Sequence, residues 1–299
     1  MRVLAGPYFY LGGLYLAQEQ GYFQDHGVAV ELQQVESTRA MVPLLSDGKA
    51  DVAFAAINPA VINAITRGAR VRITAGRGVY TSRCPDARRV CGSRKAFPNG
   101  FTDLRQIKGM RVSSSSSTGI GAFIFDQALA SAKLSRQDLR LVSIEGREAA
   151  VLLAAGKIDV AFGAADDLQM GALWDQVVPG PAYFDFLPEF MYTFVFYGKR
   201  FLDGPRENGV RFLSAFLKGQ REFQAGKNPA FLTNFANESG LDREKFLGTC
   251  RNDLIVDGHI QTPDIQTFID WSVQREFSTT RILAEEIVDT RFLDEAKRG

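Results

Sequence analysis

The sequence predicts an α/β protein built as two similar lobes, and three observations carry that prediction. Strand-like and helix-like patterns alternate at short intervals, as parallel βαβ units do. A twelve-residue segment occurs twice, 108 residues apart. The chain has 299 residues, more than the roughly 100–200 residues of a usual single domain.

The first forty residues read as strand, helix, strand. Leu11, Leu14, Ala17 and Gly21 recur at helical spacing after Pro7, and Gly21 suits a helix C-cap. Gly27 ends a turn, after which Val28, Val30 and Leu32 alternate as a strand does. Residues 38–47 predict a short amphipathic helix stopped at Gly48, then a strand from Asp51 to Ala56. Asn58-Pro59 opens a helix that runs to about Arg67, and a strand from Val71 to Gly76 follows. Residues 78–106 are rich in Arg, Gly, Pro, Cys and Ser, which predicts an interlobe crossing and a surface loop. The alternation then resumes: strand at 110–113, helix at 118–133, strand at 139–144, helix at 147–155 and strand at 159–163. After an aromatic strand at 192–197 the chain reads as mostly helical to Arg298.

The repeat aligns Leu45-Ser-Asp-Gly48-Lys49-Ala-Asp51-Val52-Ala53-Phe54-Ala-Ala56 with Leu153-Ala-Ala-Gly156-Lys157-Ile-Asp159-Val160-Ala161-Phe162-Gly-Ala164, identical at eight of twelve positions. In each copy a helix ends at Leu, Gly supplies a left-handed cap and Lys meets the negative helix terminus. Asp then opens a short buried strand. Two copies predict two lobes, since a solenoid takes three or more repeats.

Composition bounds the function. A hydrophobic share of 45%, with 23 Phe and 8 Tyr, fills sizeable cores and excludes a disordered chain. A net charge of +1 gives no general attraction to nucleic acid or acidic membranes. Met1 leads directly into Val3-Leu4-Ala5-Gly6, which reads as strand and turn and not as an export signal. Either the protein is cytoplasmic or an export signal has been removed. Of the three cysteines, Cys84 and Cys91 stand seven apart. They close a small loop if the compartment is oxidising, or remain thiols in a reducing one. No cofactor or metal site is expected, because His26 and His259 lie far from the cysteines and no C-x-x-C occurs.

The string G-G-L-Y-L-A-Q-E-Q-G-Y-F-Q-D-H-G-V-A-V-E-L, followed by D-G-K-A-D-V-A-F, resembles the NMT1/THI5-like solute-binding proteins of ABC importers. These serve aliphatic sulfonates, taurine, nitrate and thiamine precursors. D-L-R-Q-I-K-G-M-R-V-S, S-T-G-I-G-A-F and A-G-K-I-D-V-A-F-G-A-A-D-D continue the match over roughly residues 1–200. The resemblance implies a type II periplasmic-binding-protein fold, with two Rossmann-like lobes and a ligand cleft between them. It places lobe one at 1–80 plus 190–299 and lobe two at 81–189, with 82–100 as an insertion. It further implies an extracytoplasmic monomer, periplasmic or membrane-anchored. Its partners would be a small solute, anionic or heterocyclic, and a membrane ABC permease, with no nucleic acid.

Ligands of open α/β sheets sit outside the carboxyl ends of strands. That rule nominates Tyr8, Phe9 and Tyr10 after the first strand, Asn58 after the repeat, and Tyr192 near the return crossing. In lobe two it nominates Ser116, Ser117, Thr118 and Gly119, then Arg147, then Asp166. The S-S-S-S-S-T-G-I-G-A stretch suits an anion at a helix N-terminus, or else simply caps that helix. Alternate residues of the aromatic row face opposite ways, so half of it is expected in the core. Asp166-Asp167 either meets a cationic ligand group or caps a helix in solvent. Arg147 meets a ligand anion or pairs with Glu145 or Glu148. Enzymes on the same fold are the alternative, but the C-C-C-F-C motif of the thiamine-pyrimidine synthases is absent. Residues 7–10 also lack the cysteine of the desulfinase relatives. The expected mechanism is capture of solute by hinge closure, without catalysis.

Overall fold

The structure is a computed structural model that describes residues 1–6, 8–35, 38–84, 88–114, 117–144, 146–163 and 173–298. Its strands are β1 (Arg2–Ala5), β2 (Glu31–Gln34), β3 (Val52–Ala56), β4 (Arg72–Val79), β5 (Arg89–Ser93), β6 (Arg111–Ser113), β7 (Arg140–Val142), β8 (Val160–Ala161), β9 (Val177–Ala182) and β10 (Met191–Tyr197). They form two five-stranded sheets in two compact units. One unit holds Met1–Val79, Met191–Phe235 and Arg251–Gly299, and the other holds Tyr80–Phe190 and Ala236–Cys250.

The sheets share one plan. The first runs β2-β1-β3-β10-β4 and the second β7-β6-β8-β5-β9. In each, the first three strands are mutually parallel and the fourth is antiparallel to both its neighbours. That fourth strand, β10 or β5, is also the first strand after the chain enters its unit.

The repeated segment performs one job twice. Gly48 and Gly156 are left-handed, with φ of 69° and 65°, a conformation open to glycine at little cost. The amides of Lys49 and Lys157 bond back to the carbonyls of Leu44 and Leu152, each at 2.9 Å. The two aspartates then staple the neighbouring parallel strand, β1 in one unit and β6 in the other. Asp51 Oδ2 accepts the Arg2 amide and Asp159 Oδ2 accepts the Arg111 amide, both at 2.8 Å. In return the aspartate amides donate to the carbonyls of Arg2 and Arg111 at 2.9 Å. Arg111 adds a side-chain pair to Asp159 at 2.7 Å, and its hydrogen bonds hold the Asp159 carboxyl below the usual range. Sequence reading assigned these aspartates only to strand initiation.

The first unit packs helix Arg206–Gln224 against helix Gly12–Glu19 and the sheet, around Phe23, Phe54, Tyr197, Phe212 and Phe216. The helices approach closely because glycines face each other: a Cβ on Gly13 would lie 2.7 Å from the Gln220 Cα. In the second unit Cys91, Ala150, Leu153, Ile158, Ala161 and Val177 form a core under helix Gly146–Ala154.

Three expectations are corrected. Residues 78–106 are not crossing and surface loop throughout, because β5 completes the second sheet there. Its flanking arginines hide the apolar Val90-Cys91-Gly92, and the Phe97 ring packs against Gly92 where a Cβ would otherwise stand. Cys84 pairs with Cys250 and not with Cys91, which lies buried in β5 outside the disulfide. Ala236–Cys250 groups with the second unit and not with the tail of the first, and the disulfide fastens it there. Strand β9, with Pro179, Gly180 and Pro181 within it, was also unforeseen, because the sequence reading assigned no element between residues 163 and 192.

Candidate functional site

In the first unit the carboxyl ends of β1, β3 and β4 and the amino end of β10 share one edge of the sheet. The register shows it: Thr193 faces Ala56, and Met191 faces Val79. After β1 the chain turns through a 3-10 segment, Phe9–Leu11, into helix Gly12–Glu19. The Tyr15 hydroxyl ties down this entry by donating to the Gly6 carbonyl at 2.8 Å. Burial, with a contribution from Tyr8, pushes the Tyr15 phenol up to about 12, so it remains a donor at neutral pH.

The aromatic row divides. Phe9 is buried against Phe223, with centroids 5.3 Å apart. Tyr8 and Tyr10 stack at 5.2 Å with planes 16° apart, and Tyr8 is 37% exposed. Beneath Tyr10 lies Arg77, only 2% exposed. Its guanidinium carbon stands 4.7 Å from the Tyr10 ring centroid and its Nη1 donates to the Tyr10 carbonyl at 3.0 Å. The result is a column of cation, ring and ring that ends at a half-exposed aromatic face. Each cation–π contact contributes about 0.5–2 kcal/mol, and the column pre-orders Tyr8 and Tyr10. Sequence reasoning missed Arg77. The available signal was an arginine inside the otherwise uncharged run I-T-A-G-R-G-V.

Asn58 caps helix Pro59–Thr66, accepting the Val61 amide at 3.2 Å. Its neighbour Ile57 donates to the Tyr192 carbonyl at 3.3 Å, so Asn58 and the buried Tyr192 meet at the same sheet edge. Tyr8, Tyr10, Asn58 and Tyr192 therefore all stand at strand ends of this unit.

In the second unit Ser117 is exposed, Thr118 is half-buried and Gly119 is buried. Gly119 has φ of 79° and precedes helix Ile120–Ser131, with no side-chain cap. Ser113, at the end of β6, donates its hydroxyl to the Ile144 carbonyl. At the end of β8 the Tyr183 hydroxyl accepts the Gly163 amide at 2.6 Å. Arg147 is exposed in helix Gly146–Ala154. Ser116 and Asp166 lie outside the described residues, as do Pro7, Ser115, Glu145 and Asp167. No group of three or more His, Cys, Asp or Glu among the described residues is placed to hold a metal.

The family model described as NMT1/THI5 like matches residues 8–225. The chain belongs to that family. No curated protein matches it significantly by sequence. Solved structures match it over nearly its full length. The ligand binding component of an ABC-type import system from Staphylococcus aureus, with zinc bound, superposes with TM-score 0.74 at 12% identity, covering 100% of this chain and 99% of that one. The periplasmic aliphatic sulphonate binding protein SsuA from Escherichia coli gives 0.74 at 14% identity, covering 97% and 91%. The desulfurization enzyme DSZB gives 0.68 at 13% identity, covering 100% and 98%. At such identities the likeness establishes the shared two-lobed type II fold of this NMT1/THI5-like chain, while its ligand has to be argued from its own residues.

Proposed function

We propose that this protein is the solute-binding component of an ABC-type importer, which captures a small anionic or heterocyclic solute and delivers it to a membrane permease. The observation that carries the reading is the column of Arg77, Tyr10 and half-exposed Tyr8 at the strand ends of the first unit. It offers a flat apolar face backed by buried positive charge, which suits binding without chemistry. Micromolar affinity needs about 8 kcal/mol. Ring stacking, at about 0.5–1.5 kcal/mol beyond area burial, cannot supply that alone. Ser117, Thr118, Gly119 and Arg147 are proposed to contribute from the second unit, with the units closing on the solute as the mechanism.

A disulfide between Cys84 and Cys250 suits an oxidising compartment, which supports an extracytoplasmic location. No helix among the described residues is long and apolar enough to cross a membrane.

DSZB favours a second reading, an enzyme on the same fold. Against it stands the cysteine inventory. Two of the three thiols are joined and Cys91 is fully buried in a sheet, so none is presented as a nucleophile.

Thermal stabilisation by a panel of sulfonates, carboxylates, nitrate and pyrimidines, without turnover, tests the proposal. Tyr10→Ala and Ser117→Ala should each weaken the hit. Consumption of the stabilising compound refutes the receptor reading, and an unchanged radius of gyration at saturation refutes closure.

A further inference from the structure

The amino edge of the second sheet carries a row of cations in strand order. Arg140 and Arg111 open β7 and β6 side by side in register. Lys157 lies just before β8, which runs parallel to β6. Arg94 and Lys95 follow β5, whose antiparallel direction brings its carboxyl end to the same edge. Lys95 packs on Gly156, its Cβ and Cδ 3.5 Å from where a Cβ would stand. Carboxylates answer only part of this charge. Asp159 pairs with Arg111 at 2.7 Å and Asp138 with Lys108 at 3.4 Å, while Arg94 donates to the Asp175 carbonyl at 2.7 Å. Arg94, Lys95, Arg140 and Lys157 are exposed, and none has an ion-pair partner among the described residues. The whole-chain charge of +1 conceals this row.

The repeat supplies a comparison within the chain. In the first sheet the same edge is balanced: Arg2 stands in register with Glu31, and Lys49 pairs with Asp47 at 3.1 Å. The second unit has Arg140 where the first has Glu31, and Ala155 where it has Asp47. Like charges side by side on neighbouring strands cost stability, so the second edge keeps its charge against a folding cost. Exposed apolar side chains flank it. Leu141, 47% exposed, follows Arg140, and Val151, 46% exposed, stands on the last turn of the helix that leads into Lys157.

We propose that this edge docks on an anionic lipid surface. Long cations spread along a sheet edge suit an array of phosphate headgroups, and exposed apolar side chains beside basic ones suit the boundary below those headgroups. An acidic protein face would engage the cations alone. The inference concerns where the protein works and not what it captures, so it stands apart from the solute-binding reading.

The test is co-sedimentation of the full chain with vesicles of equal parts phosphatidylglycerol and phosphatidylcholine, against vesicles of phosphatidylcholine alone. Binding is expected only to the anionic vesicles. It should fall with salt as the screening length shrinks from about 10 Å at 0.1 M to about 3 Å at 1 M. Each cation near such a surface contributes about fivefold, so Lys157→Glu should weaken binding roughly tenfold or more. Lys49→Glu makes the same change of net charge at the equivalent position of the balanced edge, and should leave binding within about twofold. Arg140→Glu should weaken binding as Lys157→Glu does, yet raise the unfolding midpoint by about 1–3 °C, because it restores the Arg–Glu register of the first sheet. Leu141→Ser should weaken vesicle binding and leave retention on immobilised polyglutamate unchanged. Wild-type protein that ignores the anionic vesicles overturns the inference. Equal losses in Lys157→Glu and Lys49→Glu overturn it as well, since net charge would then suffice. A lowered midpoint in Arg140→Glu shows that Arg140 serves a partner inside the protein and also overturns it. Retention on polyglutamate, with vesicle binding indifferent to Leu141→Ser, would assign the edge to an acidic protein instead.

Discussion

Replacing Cys84 and Cys250 by serine together opens a loop of 166 residues. In the chain-entropy picture a closure of that length is worth about 5 kcal/mol at 25 °C, and one of 100 residues about 4.7. The logarithm makes the figure insensitive to how much of the intervening first unit stays folded. Losses on removing native disulfides run at about 2–5 kcal/mol, so a deficit of about 3 kcal/mol is expected. That lowers the midpoint by roughly 6–12 °C, at 2–4 °C per kcal/mol for a domain of this size. Calorimetry of wild type with and without reductant should reproduce the shift, and the double variant should not respond to reductant. Alkylation of the unfolded, unreduced protein should label one thiol, Cys91. Three labelled thiols, or a midpoint indifferent to the substitutions, would refute the assignment. A Cys84–Cys91 peptide in a non-reducing digest would instead restore the short loop that the sequence suggested.

Gly219→Ala should destabilise. Alanine gains about 1 kcal/mol of helix propensity, but the added Cβ would meet the Gly13 carbonyl and lie 3.0 Å from the Ala17 amide. Crowding backbone in this way costs about 1–3 kcal/mol, and urea unfolding that shows a net gain would contradict the tight helix crossing. Gly48→Ala and Gly156→Ala should lose comparable stability, about 1–2 kcal/mol each, because both sites are left-handed. A large loss at one site with none at the other would break the equivalence of the two copies. Asp159→Asn should cost about 1 kcal/mol at pH 7, the difference between charged and neutral hydrogen bonds. The folded Asp159 carboxyl is depressed, so its contribution is present above the ordinary carboxylate range and is lost as pH falls through the folded value. The variant should therefore approach wild-type stability as the pH falls below the ordinary carboxylate range and through the folded value, and a difference that stays constant through acid titration would rule out the Arg111 pairing as the cause.

Much of the fold was legible because its signals are local. The repeated Gly and Asp each act within a few residues, and the βαβ periods hold wherever helices cover the sheet. The misses were all non-local. Strand β5 is five residues between arginines, and only the second sheet's open position makes it a strand. The partner of Cys84 lies 166 residues away. The candidate site followed the same division. The strand-end rule reached Tyr8, Tyr10, Asn58 and Tyr192, all beside turns that the sequence marks. It could not reach Arg77, which sits inside β4 and acquires meaning from the Tyr10 ring beside it.

Strand β10 lies between β3 and β4, although more than a hundred residues separate it from either in sequence. The amino-terminal portion, translated alone, therefore ends as two sheet fragments with a strand-wide gap between them. Each fragment presents open peptide groups along the side that will later be interior, an invitation to aggregation. Truncations that stop before Met191 should be insoluble for that reason. Co-expression of a separate piece carrying residues 191–299 should rescue them by supplying the missing strand in trans. In the cell, a chaperone would be needed longest during the interval between synthesis of β4 and arrival of β10.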